Sequence, residues 1–325
     1  MGIRCGVCRH ECLIEEGQVG VCGVRRNENG KIKLLVYGKA SSVCVDPIEK
    51  KPLFHVLPGS EILSVGSIGC NFRCSFCQNW EISQAMHEPD LKGRIPLQDA
   101  SPESLVKQCV ERKIPALAFT YNEPAILLEW AIDTFKLAKK KGLTTVFVSN
   151  GYASDESLKK LMGLLDAINI DLKAFTPEFY QKQCGAKFEN VLATIQSAHK
   201  MGFWIELTTL LIPGLNDSAA ELKKAAKWIT ALDKDIPWHI TAFHPDYKLT
   251  NLPPTSVKKL KEAYAIAKDA GLNYVYVGNV TNQQENTICP KCGELLVERK
   301  GFSVYQNRLK NGRCPSCKHE IPGLW

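Results

Sequence analysis

The sequence predicts an α/β protein in which six or seven βα units lie between two small cysteine-rich modules. Three observations predict it. After about residue 56, short apolar runs alternate with longer segments of helical period. Polar residues recur at the carboxyl end of successive predicted strands. Eleven of the 14 cysteines fall in three tight groups, two of them outside the repeating segment.

The strands are read in order as Glu61 to Gly66, Ala116 to Thr120, Thr144 to Ser149, Ala167 to Asp171, Trp204 to Leu211, Trp238 to Ala242 and Asn273 to Val277. Helices are read at Ser104 to Arg112, Ile126 to Lys141, Glu156 to Leu165, Val191 to Met201, Ala219 to Leu232 and Ser256 to Asp269. Ser101-Pro102-Glu103 is a start signal and Lys141-Gly142 a stop. So many parallel strands form an open doubly wound sheet or a complete or partial barrel, and the residues alone leave both open. In either, the active site lies at the carboxyl ends of the strands. There the sequence places Thr120 to Glu123, Ser149 and Asn150, Asp171 and Lys173, Thr208 and Thr209, and His244. Composition divides the chain into residues 1–55, 56–282 and 283–325.

No apolar run approaches the length of a membrane helix, and the amino terminus lacks the apolar core of a signal peptide. A cytoplasmic location is expected, without membrane association. In that compartment thiols stay reduced, so clustered cysteines point to metal rather than to disulfides. The net charge of +7 suits an anionic substrate or partner without requiring one. From Cys289 onward seven basic residues face three acidic ones. A solvated basic face is the favoured reading there over a nucleic-acid patch.

Cys70-Asn71-Phe72-Arg73-Cys74-Ser75-Phe76-Cys77 carries Cys-x3-Cys-x2-Cys in the loop after the first predicted strand. Three thiolates can hold three irons of a four-iron cubane and leave the fourth open. A structural zinc would need a fourth ligand, and His87, ten residues on from Cys77, is poorly spaced for it. The pattern, with the aromatic Phe76 before the third cysteine, resembles the radical S-adenosylmethionine (SAM) superfamily. The resemblance implies a partial (β/α)6-type radical SAM barrel, a 4Fe-4S cluster on Cys70, Cys74 and Cys77, and SAM chelated at the open iron. It also implies reductive cleavage of SAM to a 5'-deoxyadenosyl radical, with a reductant such as ferredoxin or flavodoxin. Thr120-Tyr121-Asn122-Glu123-Pro124 takes the place of the superfamily's Gly-Gly-Glu-Pro segment, which implies that Asn122 and Glu123 contact the methionine amino group. Ser149, Asn150, Asp171 and Lys173 resemble the ribose and carboxylate contacts of the pyruvate formate-lyase activase branch. Leu211 to Asp217 and Thr241 to Pro245, the latter with His244, are similar to that branch's adenine-side segments, and Thr209, at the carboxyl end of its strand, is read as a further cofactor contact. Val148 stands where activases carry an aspartate linked to a monovalent cation.

Cys289-x2-Cys292, 21 residues, then Cys314-x2-Cys317 has zinc-ribbon spacing, although iron also accepts four thiolates. Cys5-x2-Cys8-x3-Cys12-x9-Cys22 is read as a zinc knuckle, with a cluster as the alternative and His10 as a substitute ligand. These cysteines, Gly17 to Arg25, Asp46 to Leu53 and the terminal Ile321-Pro322-Gly323-Leu324-Trp325 are similar to the radical SAM enzymes of the AmmeMemoRadiSam system. Memo-like and AMMECR1-like proteins are the partners this implies, and the substrate is a small molecule or a partner protein. The alternatives are a glycyl-radical-enzyme activase and, outside catalysis, a metal-stabilised nucleic-acid-binding or scaffold protein.

Overall fold

The structure, a computed structural model, describes residues 2–280 and 284–325. The expected junction between residues 282 and 283 lies outside the described residues. The chain forms two compact units. One comprises Met1–Asp46, Glu61–Ile168 and Gln183–Phe203, the other Pro47–Ser60, Asn169–Lys182 and Trp204–Trp325.

In the first unit the strands Glu61–Gly66, Ala116–Phe119 and Thr144–Ser149 run parallel, with Ala116 opposite both Ile62 and Thr144. All four residues of Ala116–Phe119 are buried, which is why this strand is an unbroken apolar run rather than an alternating one. The helices Pro102–Glu111, Leu128–Lys140, Asp155–Leu161 and Phe188–Lys200 belong to the same unit. The expected start signal acts as read: the Ser101 hydroxyl accepts from the Ser104 amide at 3.2 Å, with Pro102 in the first turn. Where one helix was expected from Ile126, the chain first makes the 3-10 turn Pro124–Leu127, capped by Glu123. Phe119, Trp130, Phe135 and Phe147 pack edge-on or tilted between strand and helix, with ring centroids 5.0–6.5 Å apart. The amino-terminal cysteines sit among short pairings, Ile3–Arg4 with Leu13–Ile14 and Arg25–Glu28 with Lys31–Leu34.

In the second unit Trp204–Leu211, Trp238–Ala242 and Val275–Gly278 are parallel, with Trp238 opposite Leu207 and Val275. The last strand begins two residues later than expected. Asn273 is held in a turn instead, its amide donating to the Lys234 carbonyl at 2.9 Å and its side chain to Asp235. Ala219–Leu232 matches the expected helix, and Val257–Asp269 starts one residue inside it because Ser256 serves as the cap. Thr287–Ile288, Leu295–Lys300 and Ser303–Asn307 form a three-stranded antiparallel sheet. Its core joins Leu296, Val297, Cys289, Cys314 and Ile321 to Phe54, Tyr274 and Tyr276.

A buried polar chain ties this small sheet to the segment around His55. The Pro322 carbonyl can only accept, so His55 Nδ1 donates to it at 2.7 Å. Neutral His55 Nε2 then accepts from the Tyr276 hydroxyl at 2.7 Å. The Tyr276 oxygen accepts in turn from Thr287 Oγ1 at 2.9 Å, and Thr287 Oγ1 accepts from Arg299 at 2.8 Å. Beside it, the fully buried Glu206 carboxylate accepts from the Phe54 and His55 amides, from Trp204 Nε1 and from His239 Nε2, the last at 2.6 Å. Among the described residues no helix is long and apolar enough to cross a membrane.

Candidate functional site

The loop after Glu61–Gly66 carries Cys70, Cys74 and Cys77 as free thiols, the first two buried and the third half-buried. Gly69 enters it at φ +86°, and a Cβ there would lie 2.6 Å from the Cys22 carbonyl oxygen, so only glycine fits. The loop is pinned from several sides. Asn122 Nδ2 donates to the Gly69 carbonyl at 2.9 Å, while its Oδ1 accepts from the Ser67 amide at 3.2 Å. The amides of Arg73 and Ser75 donate to the carbonyls of Cys184 and Gln183 at 2.8 and 2.9 Å. Gln84 Nε2 donates to the Phe72 carbonyl, and Asn79 Nδ2 to the Tyr121 carbonyl, both at 3.0 Å. Phe76 is buried beneath the turn.

Glu123 joins the next two loops to one another. Its Oε1 accepts from the Ala125 amide at 2.9 Å and from Ser149 Oγ at 2.8 Å, and its Oε2 from the Asn150 amide at 2.7 Å. Asn150 Nδ2 then reaches Asn71 Oδ1 at 2.7 Å and lies 3.8 Å from Cys70 Sγ. The Asn150 Oδ1 is buried without a partner. An orphaned acceptor beside a cysteine loop is what a bound molecule carrying hydrogen-bond donors would satisfy. Burial pushes the Cys70 thiol well above its ordinary range, and the charges of Glu123 and Cys74 push it further. A bound cation reverses that balance, since a coordinating thiol is deprotonated outright. The three-cysteine loop and its neighbours therefore fit an iron-sulfur cluster with a polar ligand at Asn150.

Tyr121 occupies the left-handed region at φ +70°, a conformation that costs a side chain about 1–2 kcal/mol. Its phenol donates to Asp46 at 2.6 Å, and burial followed by the Asp46 carboxylate keeps it protonated. The turn thus keeps a glycine-like backbone although its residue is a tyrosine. Tyr121→Ala, which keeps the strain and loses the anchor, should unfold at lower denaturant than Tyr121→Gly, by about 1 kcal/mol. Equal midpoints would show that the backbone is not strained in solution.

In the second unit Lys173 pairs with Asp171 at 2.8 Å, and the Lys173 amide donates to Tyr180 Oη at 2.9 Å. The Thr209 hydroxyl donates to the Leu172 carbonyl at 2.6 Å and accepts from Trp238 Nε1 at 2.9 Å, so its bonding is directed into the core. Asn216 folds the loop beyond it, accepting from the Ile212 amide and donating to the carbonyls of Lys173 and Leu210. His244 is exposed at the end of Trp238–Ala242. The structure thus gathers Phe76, Asn122, Glu123, Ser149 and Asn150 about the cysteine loop in one unit, and Asp171, Lys173 and Thr209 in the other. Sequence reasoning missed Asn71 and Asn79 as site residues, and marked Asp46 and Asn216 only as members of family-like segments without their contacts. Asn71 and Asn79, lying within or next to the cysteine motif, were the two it could have found.

Cys289, Cys292, Cys314 and Cys317 place four donor atoms within 4.8 Å of one another. The pairs Cys289–Cys317 and Cys292–Cys314 are 3.6 Å apart at sulfur, close to the roughly 3.8 Å that tetrahedral Zn–S bonds impose. The spacing fits a metal ion held by four thiolates. Stripping that ion with a chelator should cost the second unit several kcal/mol, read as a lowered thermal midpoint that metal restores. An unchanged midpoint after verified metal loss would show that the sheet holds without it.

The Radical SAM superfamily profile matches residues 65–229. An uncharacterized protein of Methanocaldococcus jannaschii is 42% identical over 323 residues, spanning 98% of this chain and 95% of the relative. The pyruvate formate-lyase-activating enzyme of Clostridium pasteurianum is 22% identical over 218 residues, 62% of this chain and 87% of that enzyme. Among solved structures, a radical SAM methyltransferase from Sphaerobacter thermophilus aligns with a TM-score of 0.52 and 16% identity, covering 73% of this chain and 71% of that one. At that identity the likeness is one of fold.

Proposed function

The chain belongs to the radical SAM superfamily, whose members are enzymes, and we propose that it binds a 4Fe-4S cluster through Cys70, Cys74 and Cys77 and cleaves SAM reductively. The observation that carries this is the convergence on the Cys70 loop of loops from the next two strands, with Asn150 Nδ2 3.8 Å from the Cys70 sulfur and Asn150 Oδ1 buried without a partner. When bound, such a cluster supplies one electron that splits SAM into methionine and a 5'-deoxyadenosyl radical, which takes a hydrogen atom from the substrate. The chain's own contribution is positional. Asn122 and Gly69 fix where the first thiolate enters, and Glu123 orients Ser149 and Asn150 toward the ligand, while Asn122 and Glu123 are kept as contacts to the methionine amino group. Asp171, Lys173, Thr209 and His244 complete the set of SAM contacts in this reading. Zinc is assigned to Cys289, Cys292, Cys314 and Cys317, and the three-module organisation at 1–55, 56–282 and 283–325 is kept as the layout of these roles.

Radical SAM enzymes draw on an electron donor such as flavodoxin or ferredoxin, and we assign one to this chain. Its hydrogen donor is placed within the AmmeMemoRadiSam system, with Memo-like and AMMECR1-like proteins as partners, on the similarity of residues 17–25, 46–53 and 321–325. The second reading, a glycyl-radical-enzyme activase, is favoured by the relative from C. pasteurianum that carries an activating-enzyme name.

The test is anaerobic reconstitution and reduction, followed by EPR with and without SAM and by chromatography for 5'-deoxyadenosine. A reduced-cluster signal that changes with SAM, together with 5'-deoxyadenosine, is expected. An unchanged signal with SAM recovered intact would overturn the reading. Deuterium transfer into 5'-deoxyadenosine from labelled partner proteins then separates the two readings.

A further inference from the structure

A second group of thiols lies against the Cys70 loop. Cys5, Cys8 and Cys22 are 6%, 7% and 5% exposed, and all are free. The Cys5 amide donates to the Cys12 carbonyl at 2.8 Å, and Cys12 Sγ lies 3.6 Å from where a Cβ on Gly20 would stand, two residues before Cys22. The four cysteines thus come from one folded knuckle. It touches the other loop at two points: the Cys22 carbonyl lies against Gly69, and His10 Nε2 donates to the Asn71 carbonyl at 2.8 Å. That bond leaves Nδ1 as the ring nitrogen by which His10 would replace a cysteine.

The side chain of Asn71 stands between the two groups and is 1% exposed. Its Oδ1 accepts from Asn150 and lies 3.9 Å from Cys70 Sγ. Its Nδ2, on the other side of the same amide, is buried and makes no closed hydrogen bond. A buried, unpartnered N–H on a residue held to the knuckle by His10 is a donor that a cluster's sulfurs can take up, and such bonds tune a cluster's potential.

We propose that Cys5, Cys8, Cys12 and Cys22 hold a second iron-sulfur cluster, separated from the Cys70 site by the Asn71 side chain. Among the described residues, the thiols gathered into the tight tetrahedron of a single ion are those of Cys289, Cys292, Cys314 and Cys317. The amino-terminal thiols are not drawn together in that way. Thiolates on separate irons of a cubane stand farther apart than thiolates on one ion, so the looser arrangement fits a cluster better than zinc.

The proposal rests on the Cys70 reading only for a subtraction. Iron, sulfide and zinc are counted in the anaerobically reconstituted full chain, where about eight irons and one zinc are expected. The Cys70→Ala, Cys74→Ala, Cys77→Ala triple variant should keep about four irons. Cys5→Ala, Cys8→Ala and Cys22→Ala together should leave about four, with the SAM-responsive signal retained. About four irons and two zincs in the unaltered chain would overturn the proposal without relying on any variant, and so would a folded triple variant free of iron. Failure of the Cys70 reading looks different: the triple variant would then keep the whole iron content, which supports the amino-terminal site.

Discussion

Replacing Cys70, Cys74 or Cys77 by Ala is expected to lower SAM cleavage to the background of the reductant alone, a loss of about 10⁶-fold if the acceleration is ordinary for an enzyme. Each thiolate holds a different iron in this assignment, so none can cover for another. The loss should leave the fold nearly intact, because the loop's anchors at Asn122, Gln84, Gln183 and Cys184 are separate from its sulfurs. Circular dichroism and zinc content should match the parent, and Cys109→Ala, a core cysteine away from the loop, should keep activity. 5'-Deoxyadenosine formed at the parental rate in any of the three variants would refute the assignment.

Glu206→Ala is expected to destabilise the protein by about 3–5 kcal/mol, the usual cost of leaving buried charge partners uncompensated. Four donors lose their acceptor at once: two backbone amides, an indole and the imidazole of His239. In a domain of this size the thermal midpoint should fall by roughly 10 °C. The same cluster predicts acid sensitivity. Burial pulls His55 from the usual 6.5 down to about 4. Burial pushes Glu206 up, yet the hydrogen bond and charge of His239, followed by the charge of His55, leave it below its ordinary range. Both folded-state values are depressed, so the unfolded chain takes up protons first. The stabilisation is complete above pH 6.5 and is lost as pH falls toward 4. Urea unfolding at pH 7 and pH 5 measures it, and a flat profile would exclude these groups as the cause.

Much of the α/β frame was legible in the sequence because the strands are covered on both faces. Glu61–Gly66, Thr144–Ser149, Trp204–Leu211 and Trp238–Ala242 are therefore apolar runs whose ends stand out against polar loops. The cysteine loop was legible because its residue types have few other uses at that spacing. The polar wiring was not. Asp46 meets Tyr121 across 75 positions, and Asn216 and Thr209 bind main-chain carbonyls that no side-chain pattern marks. Glu123 was legible as important, but whether its oxygens face a ligand or the chain's own amides depends on backbone geometry. The left-handed turn at Tyr121 was hidden for a related reason, since a tyrosine does not advertise a conformation that glycine would.

The chain of hydrogen bonds from Arg299 to Pro322 has a direction, and direction acts as a check on assembly. Arginine can only donate and a proline carbonyl can only accept, so the protons of Thr287, Tyr276 and His55 have a single consistent order. On the same segment the Leu57 amide donates to the Leu324 carbonyl and the Leu324 amide to the His55 carbonyl, both at 2.7 Å. A slip of the terminal segment by one residue would carry the Pro322 carbonyl away from His55 Nδ1 and break both main-chain bonds together, leaving the relay without an end. Misregistered docking is thereby penalised at several buried groups at once, and the terminal residues have one address on this unit.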